Sequence, residues 1–345
     1  MSDFAQAGLI CTLQRLNDAH LARLETELDA LVREQPIALV LPCHGRDLEQ
    51  PVFARLLEEL RDAKFLREIV FSVNDVAPAA LEALPGRLAG LPQKTTLLHN
   101  EPRAGEPAGK GRNVRVAFEH LAKAEECAIF ATQDCDVASF RRVDLARLCY
   151  AVAHPELGYR FAKMYYSRVT DRLYGRVSRL FLAPLLHAVV RVAGHLPLVD
   201  FLLSFRYPLA GEVALTRELA WQLPASSGWG LEIGQLCEVF RRIDPREVCQ
   251  VDGGTGYDHK HQPATTALAT MAGEIARELF AQLAAEGLAK DTAFHAAIAA
   301  AYRREADHAL RRSANLALIN GLPFDETAEH DMLDTFARQL DAPSL

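Results

Sequence analysis

The sequence predicts an α/β protein: a doubly wound, mixed sheet followed by a mostly helical C-terminal region. Three observations predict it. Short apolar runs alternate four times with helix-like stretches within about a hundred residues, and each run stops at polar or glycine-rich sequence. The chain from Thr265 to Leu345 is alanine-rich and reads as nearly all helical.

Taken in order, residues 1–35 read as an N-terminal helix, because Leu21, Leu24, Leu28 and Leu31 recur at helical spacing between charges. After Pro36, the run from Ile37 to Leu41 is continuously apolar, as expected of a strand buried on both faces, and it ends in the loop Pro42-Cys43-His44-Gly45. A helical pattern spans Pro51 to Ala63. A second apolar run, Glu68 to Val73, ends at Asn74-Asp75. Helix-like sequence from Pro78 to Leu88 leads to a third run, Thr95 to Leu98. A Gly/Pro-rich loop, Arg103 to Gly111, precedes a helix reaching Lys123, and a fourth run, Cys127 to Thr132, ends on Gln133-Asp134-Cys135-Asp136. The pattern then loosens into a mixed region reaching about Pro263. This divides the chain into an N-terminal helix (1–35), an α/β half (36–140), a mixed half (141–264) and a helical extension (265–345). Ligands of such sheets bind beyond the carboxyl ends of the strands, so the loops just named should share one crevice.

Composition excludes other classes. The 345 residues are 50% hydrophobic and 24% charged, which suits a soluble protein with a real core, and a net charge of −7 excludes a broadly basic nucleic-acid binder. The most apolar region, Leu180 to Phe205, is broken by Pro184, His187, Arg191, Gly194, His195, Pro197 and Asp200, so no membrane span is expected. The first residues lack a basic-then-apolar leader. Seven scattered cysteines with no CxxC pair read as reduced thiols of a cytoplasmic protein.

Among the motifs, Asp134-Cys135-Asp136 is the most informative. Two carboxylates of a D-x-D triplet at a sheet's carboxyl edge repel unless a cation joins them, and hard ions such as Mg²⁺ or Mn²⁺ take oxygen ligands with a diphosphate supplying the rest. A turn or helix cap uses the same residues, and the preceding strand brings the two readings to roughly even odds. Gly105 to Gly111, with Lys110, lies between a strand and a helix. It lets backbone N–H groups approach phosphates, yet it matches neither the P-loop nor GxGxxG spacing, and taken alone it reads as a flexible loop. The cluster Asp258-His259-Lys260-His261 could add an imidazole to a metal site, although isolated histidines are more often surface or core residues. Arg206 to Glu212 and Gly228 to Gly234 place carboxylates beside glycines and aromatics, which suits sugar hydroxyls and equally suits turns into helices. Arg303-Arg304-Glu305 reads as a solvated helix face.

In their order along the chain, Gly109-Lys110-Gly111, Asp134-Cys135-Asp136, the segment Tyr174 to Leu186, Pro208 to Glu212, Gly228 to Gly234 and His259 to Pro263 resemble the retaining glucosyl-3-phosphoglycerate synthases, glycosyltransferase family eighty-one. The resemblance covers about residues 36 to 285; the mannosylglycerate synthases match less well beyond the loop and triplet. It implies a GT-A fold and a metal-dependent retaining transfer of glucose from UDP- or GDP-glucose to 3-phosphoglycerate or a similar small anion. It also implies that residues 36–140 bind the nucleotide-sugar and residues 141–264 the acceptor. The alanine-rich faces of the helical extension suit close packing, within the chain or in a homodimer. Pro42, Lys110, Asp134 and Asp136 would bind the donor, with Asp136 and His259 ligating Mg²⁺ or Mn²⁺. Glu232 would hold the glucose hydroxyls, and Leu209 and Gly211 would shape the donor–acceptor junction. Gly175, Arg176 and Ser178, with His261, would bind the acceptor, Arg176 being the main anion anchor. Two positions depart from the family pattern. Arg46 stands where an acid usually helps to recognise the base, and His261 stands where an asparagine is usual, so the donor base and the acceptor stay open. A mannosylglycerate- or glucosylglycerate-synthase-like transferase, a sugar-phosphate nucleotidyltransferase and a non-catalytic nucleotide-sugar-binding homologue are the competing readings.

Overall fold

The computed structural model describes residues 8–100, 109–224, 228–255, 265–288 and 291–341. Its elements begin β1 (Cys11–Leu13), α1 (Leu21–Leu31), β2 (Ile37–His44), α2 (Gly45–Leu48), α3 (Pro51–Arg61), β3 (Leu66–Asn74), α4 (Pro78–Leu88), β4 (Lys94–His99), α5 (Lys110–Ala124) and β5 (Ile129–Thr132). They continue α6 (Arg142–Ala153), β6 (Phe161–Ser167), α7 (Ala183–Ala193), α8 (Pro197–Leu203), β7 (Val213–Thr216), α9 (Arg217–Gln222), α10 (Leu231–Arg242) and β8 (Val248–Thr255). Three long helices close the chain: α11 (Thr265–Ala285), α12 (Thr292–Ile319) and α13 (Glu326–Leu340). Helices α3, α4 and α8 each start on a proline, whose fixed φ suits the first turn, where no intrahelical partner for its N–H is needed.

Among the described residues, eight strands form one sheet in the order β1-β8-β6-β7-β5-β2-β3-β4. The continuous apolar run of β2 follows from this placement. Ala38 and Val40 enter the core on one face, while Ile37, Leu39, Leu41 and Cys43 enter the core on the other. The first core is covered by α5, α7, α8 and the three C-terminal helices, and the second by α3, α4 and α6. Strands from residues 36–140 (β5-β2-β3-β4) and from 141–264 (β8-β6-β7) form two adjacent blocks of this single sheet, joined where β5 pairs with β7.

Strand β7 runs antiparallel to both neighbours. Its first residue, Val213, is therefore opposite Thr132, the last residue of β5, and opposite Lys163 of β6. The reversal delivers the loop before β7, ending Ala210-Gly211-Glu212, to the edge where β5 releases Asp134.

The N-terminal helix expected over residues 1–35 is corrected. Cys11–Leu13 is a strand whose parallel pairing with β8 sets Cys11 opposite Cys249, and among the described residues of that stretch helix spans Leu21–Leu31. A free edge at β8 offers backbone partners to any extended neighbour, and Ile10 and Thr12 are buried there. Three residues are too few for periodicity to reveal.

A buried polar ladder joins α5 to the strand ends. The Asn113 amide donates to Asn74 Oδ1 at 2.7 Å, Asn100 donates to Asn113 Oδ1 at 2.8 Å and to Ser72 Oγ at 2.8 Å, and Ser72 Oγ donates to the Asn113 carbonyl at 2.8 Å. Such a network rigidifies the site above it only while every member is satisfied. Asn113→Ala leaves the Asn74 and Asn100 amides without this partner and should lower unfolding free energy by about 2–3 kcal/mol. Urea denaturation of the variant beside the wild type measures it.

Candidate active site

At the carboxyl edge of the central strands lies a cleft of about 790 Å³. It is lined by Pro42 near the end of β2, Gly109-Lys110 at the start of α5, Asp134 and Asp136 after β5, and Glu232 in the first turn of α10. Gly175, Arg176, Ser178 and Leu209 line it as well. The predicted residues on six separate segments therefore meet in one place.

Lys110 is the hub. Its ammonium lies 2.7 Å from Asp134 Oδ1 and donates to Glu232 Oε1 at 3.0 Å. Burial pulls its pKa down, but the carboxylates of Asp134, Glu232 and Glu212 outweigh that, and the ammonium is held well above the usual lysine value. Gly109, with φ +146°, supplies the left-handed backbone that starts α5 here, so the positive end of that helix dipole faces the cleft.

Gly211 sits directly behind this pair. A Cβ there would run into the Lys110 ammonium and approach the Asp134 carboxylate oxygens to 2.8 and 2.9 Å. Leu209 and Gly211 thus belong to a segment whose backbone packs against the charged centre.

Part of the lining is cationic. Arg168 and Arg172 join Arg176 there, and the Arg168 Nε is buried without a hydrogen-bond partner. Arg176 Nε donates to Glu329 Oε1 at 2.6 Å, and Arg179 pairs with the other oxygen of the same carboxylate. The Val177–Leu182 segment forms a π-helical turn leading into α7, a geometry often found at functional sites. Tyr207 packs its ring on Tyr166 at 5.0 Å, and Trp229 stands part-exposed on the cleft wall.

After β2, the short helix α2 carries Arg46 where the family resemblance places an acid, with Asp47 next to it. Arg46 lines the cleft with its Nε 3.7 Å from Asp47, while Asp47 is buried and accepts from the His44 backbone N–H at 3.3 Å. Gly45 is obligatory here because a Cβ would collide with the Asp75 carbonyl.

Asp136 brings one carboxylate to the cleft; its hard oxygens suit a divalent cation whose remaining ligands come from a bound diphosphate. Among the described residues, no group of three His, Cys, Asp or Glu side chains converges to hold a metal unaided. His259 and His261 lie outside the described residues, as do residues 105–108 of the glycine loop. No described helix is long and apolar enough to cross a membrane. All seven cysteines are free and six of them are buried.

Sequence reasoning did not single out Arg168, Arg172, Lys163 or Glu329. Lys163 had a signal, a lone charge inside the apolar run Phe161 to Tyr166; its side chain is wholly buried. Glu329 had none, since 153 residues separate it from Arg176.

The chain is similar along its length to proteins named glucosyl-3-phosphoglycerate synthase. That of Persephonella marina is 34% identical, the match covering 99% of this chain and 89% of the relative. That of Methanococcoides burtonii is 29% identical, covering 92% and 83%. The fold is shared with the glucosyl-3-phosphoglycerate synthase of Mycobacterium tuberculosis solved with Mn²⁺, UDP-glucose and phosphoglyceric acid, at a TM-score of 0.62 over 80% of this chain and 88% of that one, with 20% identity. No protein-family model matches the chain.

Two outcomes are expected. Gly211→Ala has ordinary backbone angles to accept and a flexible side-chain end to displace, so stability should hold while turnover falls about 100-fold as Lys110 is pushed off Asp134; thermal melting and steady-state rates read the two separately. Burial lowers the Lys163 pKa to about 8, against the pull of Glu232 and Glu212. Below that pH the folded protein carries the full cost of a buried ammonium. Between about 8 and 10.5 the unfolded chain holds the proton that the folded chain has released, so stability rises with pH. The wild type should therefore gain stability relative to Lys163→Met as pH increases through that window, measured by urea denaturation.

Proposed function

Since this chain belongs to the glucosyl-3-phosphoglycerate synthase family of glucosyltransferases, we propose that its cleft moves glucose from UDP- or GDP-glucose to 3-phosphoglycerate or a closely similar small anion, with retention of anomeric configuration. The observation that carries the proposal is the Lys110 ammonium, shared by Asp134 and Glu232 at the start of α5 in a cleft that arginines also line. A site of this kind takes a diphosphate on one side and an anionic acceptor on the other.

The donor's diphosphate lies against Lys110 and the N-terminus of α5, with Pro42 and Asp134 beside the nucleoside and Glu232 accepting hydrogen bonds from the glucose hydroxyls. The acceptor's carboxylate and phosphate are met by Arg176, whose planar fork matches such oxygens, with Gly175 and Ser178 beside it. Leu209 and Gly211 separate the two ligands. The acceptor hydroxyl attacks the anomeric carbon from the face that the diphosphate leaves, the bond to the leaving oxygen breaks, and the hydroxyl proton passes to that phosphate oxygen. Negative charge grows on the departing diphosphate where Lys110 already stands, so the ammonium stabilises it without reorganisation. Mg²⁺ or Mn²⁺, held by Asp136 and His259 together with the diphosphate, supplies further neutralisation of that charge when bound. The Mn²⁺ and UDP-glucose of the Mycobacterium tuberculosis complex support this reading.

A matrix of nucleotide-sugars against glycerate, 3-phosphoglycerate and glycerol 3-phosphate, read by nucleoside diphosphate release with Mn²⁺, should single out a glucose donor and a phosphorylated acid. Release no faster with any acceptor than with water would overturn the assignment. Asp136→Ala should abolish metal-dependent turnover in a chain that still melts cooperatively, and Lys110→Met should lower kcat by about 100- to 1,000-fold.

A further inference from the structure

Close to the cleft lies a group that the reaction above does not use. Lys163 sits in β6 between Ala162 and Met164, and its side chain is fully buried. Its ammonium donates to the backbone carbonyl of Ala210 rather than to a carboxylate. Around it stand Glu232 of α10, Glu212 before β7, Asp134 after β5 and the Lys110 ammonium of α5. Burying an ammonium costs several kcal/mol even when partly compensated, and an apolar side chain of equal length would fill the same space without that penalty. Stability therefore does not account for a lysine here.

The segment it touches does. Each residue from Ala210 to Val213 is held by a separate hydrogen bond. Lys163 takes the Ala210 carbonyl, the Thr132 hydroxyl donates to the Gly211 carbonyl at 2.6 Å, Met164 N–H donates to the Glu212 carbonyl at 2.9 Å, and Val213 N–H donates to Thr132 Oγ1 at 3.2 Å. The Glu212 side chain is itself fixed, accepting from Tyr166 at 3.0 Å. The Ala210 carbonyl precedes the β-ladder, and Lys163 satisfies it.

We propose that Lys163 is a positioning residue for glycosyl transfer: by holding the Ala210 carbonyl it sets Leu209 at the donor–acceptor junction and Gly211 against Lys110 and Asp134. The inference rests on the transferase reading, in which Leu209 and Gly211 flank the reacting centre. Released, the segment shifts the backbone behind Lys110, and displacements of about 1 Å at a reacting centre suffice to cost orders of magnitude in rate.

The test uses the full chain carrying Lys163→Met, which keeps length and apolar volume and removes the donor. A cooperative melt should accompany a kcat about 10- to 100-fold below wild type, with donor and acceptor KM within threefold. Amide hydrogen exchange should accelerate at residues 209–213 and stay unchanged in β2 and β3. A kcat within twofold of wild type, or a raised donor KM with kcat preserved, overturns the proposal, the latter because it would mean that the charge acts on binding. If Lys163→Met does not fold, Thr132→Val decides: it removes the adjacent hold on Gly211 at constant volume. Lowered kcat with unchanged KM supports a rate set by the held segment, and wild-type kcat overturns it. Exchange needs no turnover, so it separates this inference from the transferase assignment. A wild type inert to every nucleotide-sugar sinks the assignment alone, whereas unchanged exchange at 209–213 in Lys163→Met sinks the positioning role alone.

Discussion

The ammonium of Lys110, caught between Asp134 and Glu232, requires three distant pieces of chain to arrive at one point: the first residue of α5, the loop leaving β5 and the first turn of α10. Each is delivered by a regular element, so the rest of the architecture can be understood as the means of bringing them together. Parallel strands β2 and β5 release their loops on the same edge, and α5 begins over that edge with its dipole toward the same space. The antiparallel β7 is what brings a fourth piece, Gly211, close enough that no side chain fits between it and the ion pair. A parallel strand at that position would carry its N-terminal loop to the opposite edge.

The C-terminal helices take part in the site. Leu268, Met271, Glu274 and Ile275 of α11 line the cleft, and Glu274 accepts the Trp229 backbone N–H at 2.9 Å, fixing the turn that leads into α10. Farther along, α13 contributes Glu329, whose buried carboxylate binds Arg176 and Arg179 together. One carboxylate cannot neutralise two guanidinium groups, so positive charge remains on that part of the cleft. The extension is thus part of the electrostatics of the cleft as well as of its core.

Several charged groups sit where an apolar core would be more stable: Lys163, Glu212 and, partly, Glu232. They are tolerated because each is hydrogen-bonded or offset by an opposite charge, and because large apolar cores on both sheet faces supply the stability that they subtract. Such charged groups concentrate around one edge, while the buried polar residues elsewhere along the described strands are few, among them Thr12, Glu68, Ser72 and Gln250.

Much of this was legible from the residues. The runs at Ile37, Glu68, Thr95 and Cys127 became β2 to β5, because a strand covered on both faces must be apolar at consecutive positions, and the Asp triplet after the last run marked the edge to which ligands come. Near the start of the chain and beyond about residue 140 the pattern carried less, since strands of three or four residues such as β1 and β7 are defined by the partners they find and not by their own periodicity. Local chemistry thus determined the α/β class and the residue types available for binding a phosphate, a cation and a sugar. Only tertiary structure decided that Lys110 lies between two carboxylates, that Arg176 answers to Glu329 and that Lys163 supports the segment behind the ion pair. Those contacts join residues tens to more than a hundred positions apart, and packing, not spacing along the chain, sets such distances.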